Sequence, residues 1–97
     1  MAGFKTLDAA DQVTTGGTYG VGSINRTTIS LQVDGMVTND IVQVEASNDE
    51  GTTWTQVGDD ITADGIYSIE TGANDYRANL TDVSGGGTVT AIFFGGF

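Results

Sequence analysis

The sequence predicts an all-β fold: a small antiparallel β-sandwich, or a partly open barrel, of about six or seven strands with an extended N-terminal arm. Three observations predict it. From Thr27 onward, apolar and polar residues alternate in short runs of period two, the pattern of half-buried strands. The chain holds fifteen glycines, fifteen threonines and no proline; threonine suits a pleated surface and glycine supplies the backbone angles of tight turns. Turn signals separate the runs at short intervals and no long helix-forming run occurs, which is the signature of antiparallel sandwiches and small barrels.

Taken in order, residues 1–25 read as the arm. Phe4 and Leu7 are apolar without sustained period, and Thr14 to Gly22 carries four glycines. Such a segment is expected to become ordered against something else. Residues 26–97 read as the sandwich. Ile29, Leu31 and Val33 alternate with Thr28, Ser30 and Gln32, and Asp34-Gly35 follows as a hairpin-type turn signal. Val42, Val44 and Ala46 mark a second strand, Thr53 to Val57 a third, Tyr67 and Ile69 a fourth, and Tyr76, Ala78 and Leu80 a fifth. The sixth is apolar on both sides: Val89, Ala91 and Phe93 alternate with Ile92 and Phe94. A strand apolar on both faces is buried on both. The second cover is either another subunit, with Ile92, Phe94 and the terminal Phe97 at the contact, or the N-terminal arm of the same chain.

Composition bounds the chemistry. A chain of 97 residues is one domain with a small core. It has no cysteine and no histidine, so it lacks thiolate metal sites, the usual zinc ligands and the usual general base. No nucleophile–base pair can be assembled around them, and no catalytic residue is assigned. Thirteen acids face three bases, a formal charge of −10. That charge repels phosphate backbones and anionic membranes, so neither nucleic acid nor a membrane is an expected partner. No leader or spanning stretch is read in the chain, which is expected to be cytosolic when made or to travel inside a particle. Asp59, Asp60 and Asp64 share a loop, and calcium accepts such oxygens, but the spacing is not that of an EF-hand. The loop reads as solvated; no metal and no cofactor are expected. Two matches to the glycosylation pattern, at Asn25 and Asn79, read as chance without a leader.

One motif is specific. SNDEGTTW, Ser47 to Trp54, resembles the Asp-box, S-x-D-x-G-x-x-W, of sialidases and other β-proteins. The resemblance implies a structural hairpin turn in which Asp49 accepts turn amides, Gly51 takes the positive backbone angle, Trp54 packs beneath and Ser47 flanks. Those roles suit the residue types on physical grounds. Sialidase chemistry would need an arginine cluster and a tyrosine nucleophile, and only Arg26 and Arg77 are present. Trp54, Tyr67 and Tyr76 are candidates for stacking on sugar, although the tyrosines lie on the apolar side of their alternations and read first as core.

The longer run from Ile41 to Gly95, with SNDEGTTW, ITADGIYSI and YRANLTDVSGGGTVTA, resembles small β-sandwich virion proteins of tailed bacteriophages, of the capsid decoration (cement) or fibre type. It departs from them at Asp49-Glu50, where many such turns are one residue shorter. The resemblance implies a non-enzymatic virion structural protein. The first expectation is a decoration protein on the capsid surface that binds across major capsid protein subunits, as a homo-oligomer and most simply a homotrimer, with Phe4 and Leu7 on an arm that grips the capsid. The alternative is a tail, fibre or adsorption component with a glycan-binding sandwich.

Overall fold

The structure, a computed structural model, describes residues 3–21 and 28–95. These form nine strands and no helix: β1 (Phe4–Ala10), β2 (Thr14–Thr15), β3 (Tyr19–Gly20), β4 (Ile29–Asp34), β5 (Ile41–Ser47), β6 (Thr55–Gln56), β7 (Gly65–Ile69), β8 (Asp75–Asp82) and β9 (Val89–Gly95). They make two antiparallel sheets packed face to face. The first runs β1-β9-β4-β7; the second runs β2-β8-β5-β6, with β3 also on β8. The fold is the expected β-sandwich, with more and shorter strands.

The core follows from the period-two pattern. Ile29, Leu31 and Val33 on β4 and Val89, Ala91 and Phe93 on β9 are buried from one sheet. Val42, Val44 and Ala46 on β5 and Tyr76, Ala78 and Leu80 on β8 are buried from the other. Registers keep these faces aligned: Leu31 lies opposite Phe93, and Val44 opposite Ala78. A slip of one residue would turn every one of these side chains outward.

Residues 4–20 correct the expectation of an extended N-terminal arm: they supply β1, β2 and β3. β1 is the lateral neighbour of β9 in the first sheet, while β2 and β3 line the edge of β8 in the second. Leu7, expected to grip a capsid, is 1% exposed and belongs to the core. Thr6 is the fastening. Its carbonyl accepts the Gly17 amide, and its hydroxyl donates to the Gly17 carbonyl and accepts the Ala78 amide. Gly16 fits here because a Cβ would sit 1.9 Å from the Ala78 carbonyl oxygen. One lateral side of the sandwich is thereby sewn shut. The expected boundary between residues 25 and 26 falls outside the described residues.

Two further expectations are corrected. Asp34-Gly35 does not close a hairpin, because β4 and β5 lie in different sheets. The turn carries the chain across the sandwich, with Gly35 at φ +86° against the Thr88 carbonyl. The arm also does not cover the outer face of β9. β1 lies beside that strand, and Phe94 stays 42% exposed.

Candidate functional site

The turn between β5 and β6 is built from Ser47, Asp49 and Gly51. The Ser47 hydroxyl donates to Asp49 Oδ1 at 2.7 Å and accepts the amides of Asp49 and Gly51 at 3.3 and 3.1 Å. Asp49 Oδ1 also accepts the Thr53 amide at 2.8 Å. The Ser47 hydroxyl first, and then the Thr53 amide, stabilise the ionised carboxylate and lower its pKa to about 2. Gly51 has φ +83° and Glu50 φ +60°, so two successive residues take the left-handed conformation. Asn48 Oδ1 accepts the Asn74 amide at 3.0 Å, tying the turn to the loop between β7 and β8.

Trp54 is half-buried and lies against the turn: a Cβ on Gly51 would sit 3.4 Å from its ring. The Arg77 guanidinium stands 4.2 Å from the ring centroid, a cation–π contact. Arg77 Nε donates to Glu45 Oε1 at 2.8 Å, and Asn79 Nδ2 donates to the same oxygen at 2.6 Å. Next to them Asp60 Oδ1 accepts from the side-chain amides of Gln43 and Gln56. The outer face of the second sheet is thus a network whose polar groups satisfy one another. Arg77 thereby covers one face of the Trp54 ring. Tyr76 is fully buried, its hydroxyl accepting the Ala73 amide at 2.9 Å. Tyr67 packs against the core and donates to the Ala63 carbonyl. Both tyrosine rings are thus engaged by the sandwich, and Arg77 covers one face of Trp54.

The acids of the 59–65 loop do not converge. Asp60 serves the glutamines, and Asp64 accepts the Met36 amide at 2.9 Å. Among the described residues no group of three or more acid, histidine or cysteine side chains is placed to hold a metal ion. One acid is structural in a way the sequence did not signal. Asp40, 2% exposed, accepts the Val37 and Ser84 amides at 3.0 and 2.9 Å and the Ser84 hydroxyl at 3.3 Å. The Val37 and Ser84 amides hold its pKa below the usual carboxylate value. Ser84 lies forty-four residues along the chain, so no local spacing points to the pair.

Two surface features stand out among the described residues. The outer face of the first sheet carries Ile92 half-buried, Phe94 exposed and Ile66 72% exposed, with Ile66, Gln32 and Ile92 in one cross-strand row. Phe97 lies outside the described residues. Phe4, 37% exposed, stacks on Tyr19 with centroids 5.6 Å apart, and Tyr19 stacks on Phe93 in turn; it belongs to an aromatic column of the sandwich. The second surface is a groove of about 420 Å³ between β6 and the chain after β7, walled by Ala46, Thr55, Val57, Thr71 and Ala73 and ending at Ser47 and Asp49.

These features define a small all-β sandwich with an apolar outer sheet face and an open groove. No family model matches the chain, and no curated protein matches it in sequence. Among solved structures, that of the SPBc2 prophage-derived protein YomS has the same fold: TM-score 0.71 at 18% identity, covering 95% of this chain and 91% of that one.

Proposed function

We propose that the chain is a non-enzymatic structural protein of a bacteriophage virion, acting as a decoration protein on the capsid surface. The observation that carries this reading is the fold shared end to end with a prophage-derived protein, joined to the virion-protein resemblance of residues 41–95. The outer face of the first sheet supports it, because Ile92 and Phe94 offer an apolar contact to a neighbouring subunit. The protein would bind as a homotrimer across joints between major capsid protein subunits. A ligand that binds only the assembled lattice stabilises it by mass action, and many copies multiply a modest affinity per site. Leu7 is no capsid anchor, since that buried side chain holds the sandwich itself.

The test is to add purified protein to heads that lack it. Stoichiometric binding at lattice joints, seen by cryo-microscopy, together with higher resistance of the heads to heating, is the expected result. Labelling that places the protein on a tail or fibre would replace this reading, and a glycan array would then ask whether sugar is bound.

A further inference from the structure

We infer that β7 is the docking edge for an extended segment of a partner protein, apolar in its middle and basic at its ends, which joins the first sheet as a fifth strand. The inference does not depend on which particle the protein serves. It starts from an asymmetry between the two edges of that sheet. β1 is guarded in the usual ways of natural edge strands: it carries Lys5 and Asp8, its register shifts twice, and Ala9 has φ +49°. β7 has none of these guards. Gly65-Ile66-Tyr67-Ser68-Ile69 has no charge and no proline, pairs with β4 without a register shift, and pairs with no other strand among the described residues. An unguarded, uncharged edge with an isoleucine 72% exposed is a template for strand addition.

The space between the sheets agrees. On the β1 side, Thr6 and Gly17 close the sandwich. On the β6–β7 side, Ile61 packs against the core and bridges to Val42, but beyond it the groove of about 420 Å³ stays open beside Thr71 and Ala73. A guest strand along β7 that runs on past Ile69 would point alternate side chains inward towards this opening, and its walls of Ala46, Val57 and Ala73 suit a valine- or leucine-sized group.

Charge selects the occupant. Asp64 and Glu70 bracket β7, and Asp49 stands at the far end of the groove. In a two-fold pairing of β7 with itself, Asp64 of one copy would face Glu70 of the other, and a chain of net charge −10 opposes that approach. A segment with lysine or arginine at both ends satisfies the same positions.

The probe is a short peptide of alternating valine and threonine with lysine at each end. With full-length protein it should bind saturably, slow hydrogen exchange of the residue 65–69 amides by about tenfold or more at saturation, and weaken as salt screens the end charges. A glutamate-ended peptide should bind at least about tenfold more weakly. Two versions N-methylated on alternate residues separate main-chain pairing from side-chain contact: the one blocked on the edge facing β7 should fail while the other binds. Thr71→Trp, at an exposed wall position, should weaken binding by narrowing the groove. Absence of protection at β7 with either charge of peptide overturns the inference, as does equal binding of both N-methylated versions. Dimers in light scattering, with the same amides protected in the absence of peptide, would assign the edge to a second copy and overturn it equally.

Discussion

Thr6 and Gly17 exchange two hydrogen bonds across the side of the sandwich: the Thr6 carbonyl accepts the Gly17 amide at 2.8 Å, and the Thr6 hydroxyl donates to the Gly17 carbonyl at 2.7 Å. The same hydroxyl accepts the Ala78 amide at 3.1 Å, so one buried side chain joins β1 to the opposite sheet. Thr6→Val keeps the shape and removes the hydroxyl. It leaves a buried amide and a carbonyl short of partners, at an expected cost of about 2–4 kcal/mol. Thr6→Ser should recover most of that loss. Urea unfolding of the three proteins measures it, and a Thr6→Val protein as stable as the parent would show that the hydroxyl fastens nothing.

The segment before residue 25 is expected to be indispensable for folding. Leu7 is 1% exposed, and Leu7→Ala should cost about 2–5 kcal/mol through lost burial and the cavity left behind. A protein beginning at Asn25 loses three strands and uncovers Tyr76 and Phe93. It should melt without a cooperative transition and bind a hydrophobic dye. A sharp, parent-like transition in that truncated protein would contradict the closure described for the β1 side.

Glu50 and Gly51 adopt left-handed conformations in succession, at φ +60° and +83°. The two positions should respond oppositely to a change in side chain. Gly51→Ala places a Cβ in a disfavoured region and should cost about 1–2 kcal/mol. Glu50→Gly removes that same strain but gives the unfolded chain more freedom, so its net effect should lie between zero and about 1 kcal/mol of stabilisation. Thermal unfolding of both variants checks the sign; a destabilised Glu50→Gly would mean the glutamate side chain contributes something beyond its backbone.

Phe94 is 42% exposed on the outer face of the first sheet and Ile92 lies beside it, half-buried. If this face is the subunit contact, Phe94→Asp should leave the fold intact while converting an oligomer to a monomer in light scattering. Aromatic anchors commonly dominate such contacts. An oligomer unchanged by Phe94→Asp would move the contact elsewhere.

How much could be read beforehand depended on how local each cause is. Ile29, Leu31 and Val33 announce β4 because one buried face forces alternation, and the same holds for β5, β8 and β9. β1 is not legible in this way because its register shifts at Lys5/Leu7 and Leu7/Ala10 break that alternation. Asp34-Gly35 signals a turn, but a turn does not say which sheet receives the next strand. The hydrogen bonds among Ser47, Asp49, Gly51 and Thr53 span at most four positions, so a spacing can carry them. Asp40 and Ser84, or Thr6 and Ala78, meet only through the fold. The edge position of β7 among the described strands is invisible for the same reason: Ile66 looks like any strand residue until its neighbours are known.

Acid acts on two hydrogen-bonded carboxylates of the fold. Asp49 has its pKa lowered to about 2 by the Ser47 hydroxyl and the Thr53 amide, and Asp40 is lowered by the Val37 and Ser84 amides. In the unfolded chain both return to about 3.9. Below that value the unfolded state takes up protons that the folded state resists, so falling pH favours unfolding. The stabilisation these two carboxylates contribute is therefore complete above the unfolded value, and is lost as pH falls towards the folded one. Protonation of the other acids acts in the opposite sense, since it relieves the repulsion within a chain of formal charge −10. That opposing effect is nearly common to the parent and to a single-residue variant, and a difference between them removes most of it. Urea unfolding of the parent, Asp49→Asn and Asp40→Asn should show the parent ahead at about pH 6 and the gap closing towards about pH 2.5. For Asp49 the gap should close between about 4 and about 2, the interval set by its two pKa values. A gap that stays constant over this range would mean that the amides and hydroxyls around the two side chains do not discriminate the carboxylate from its neutral isostere.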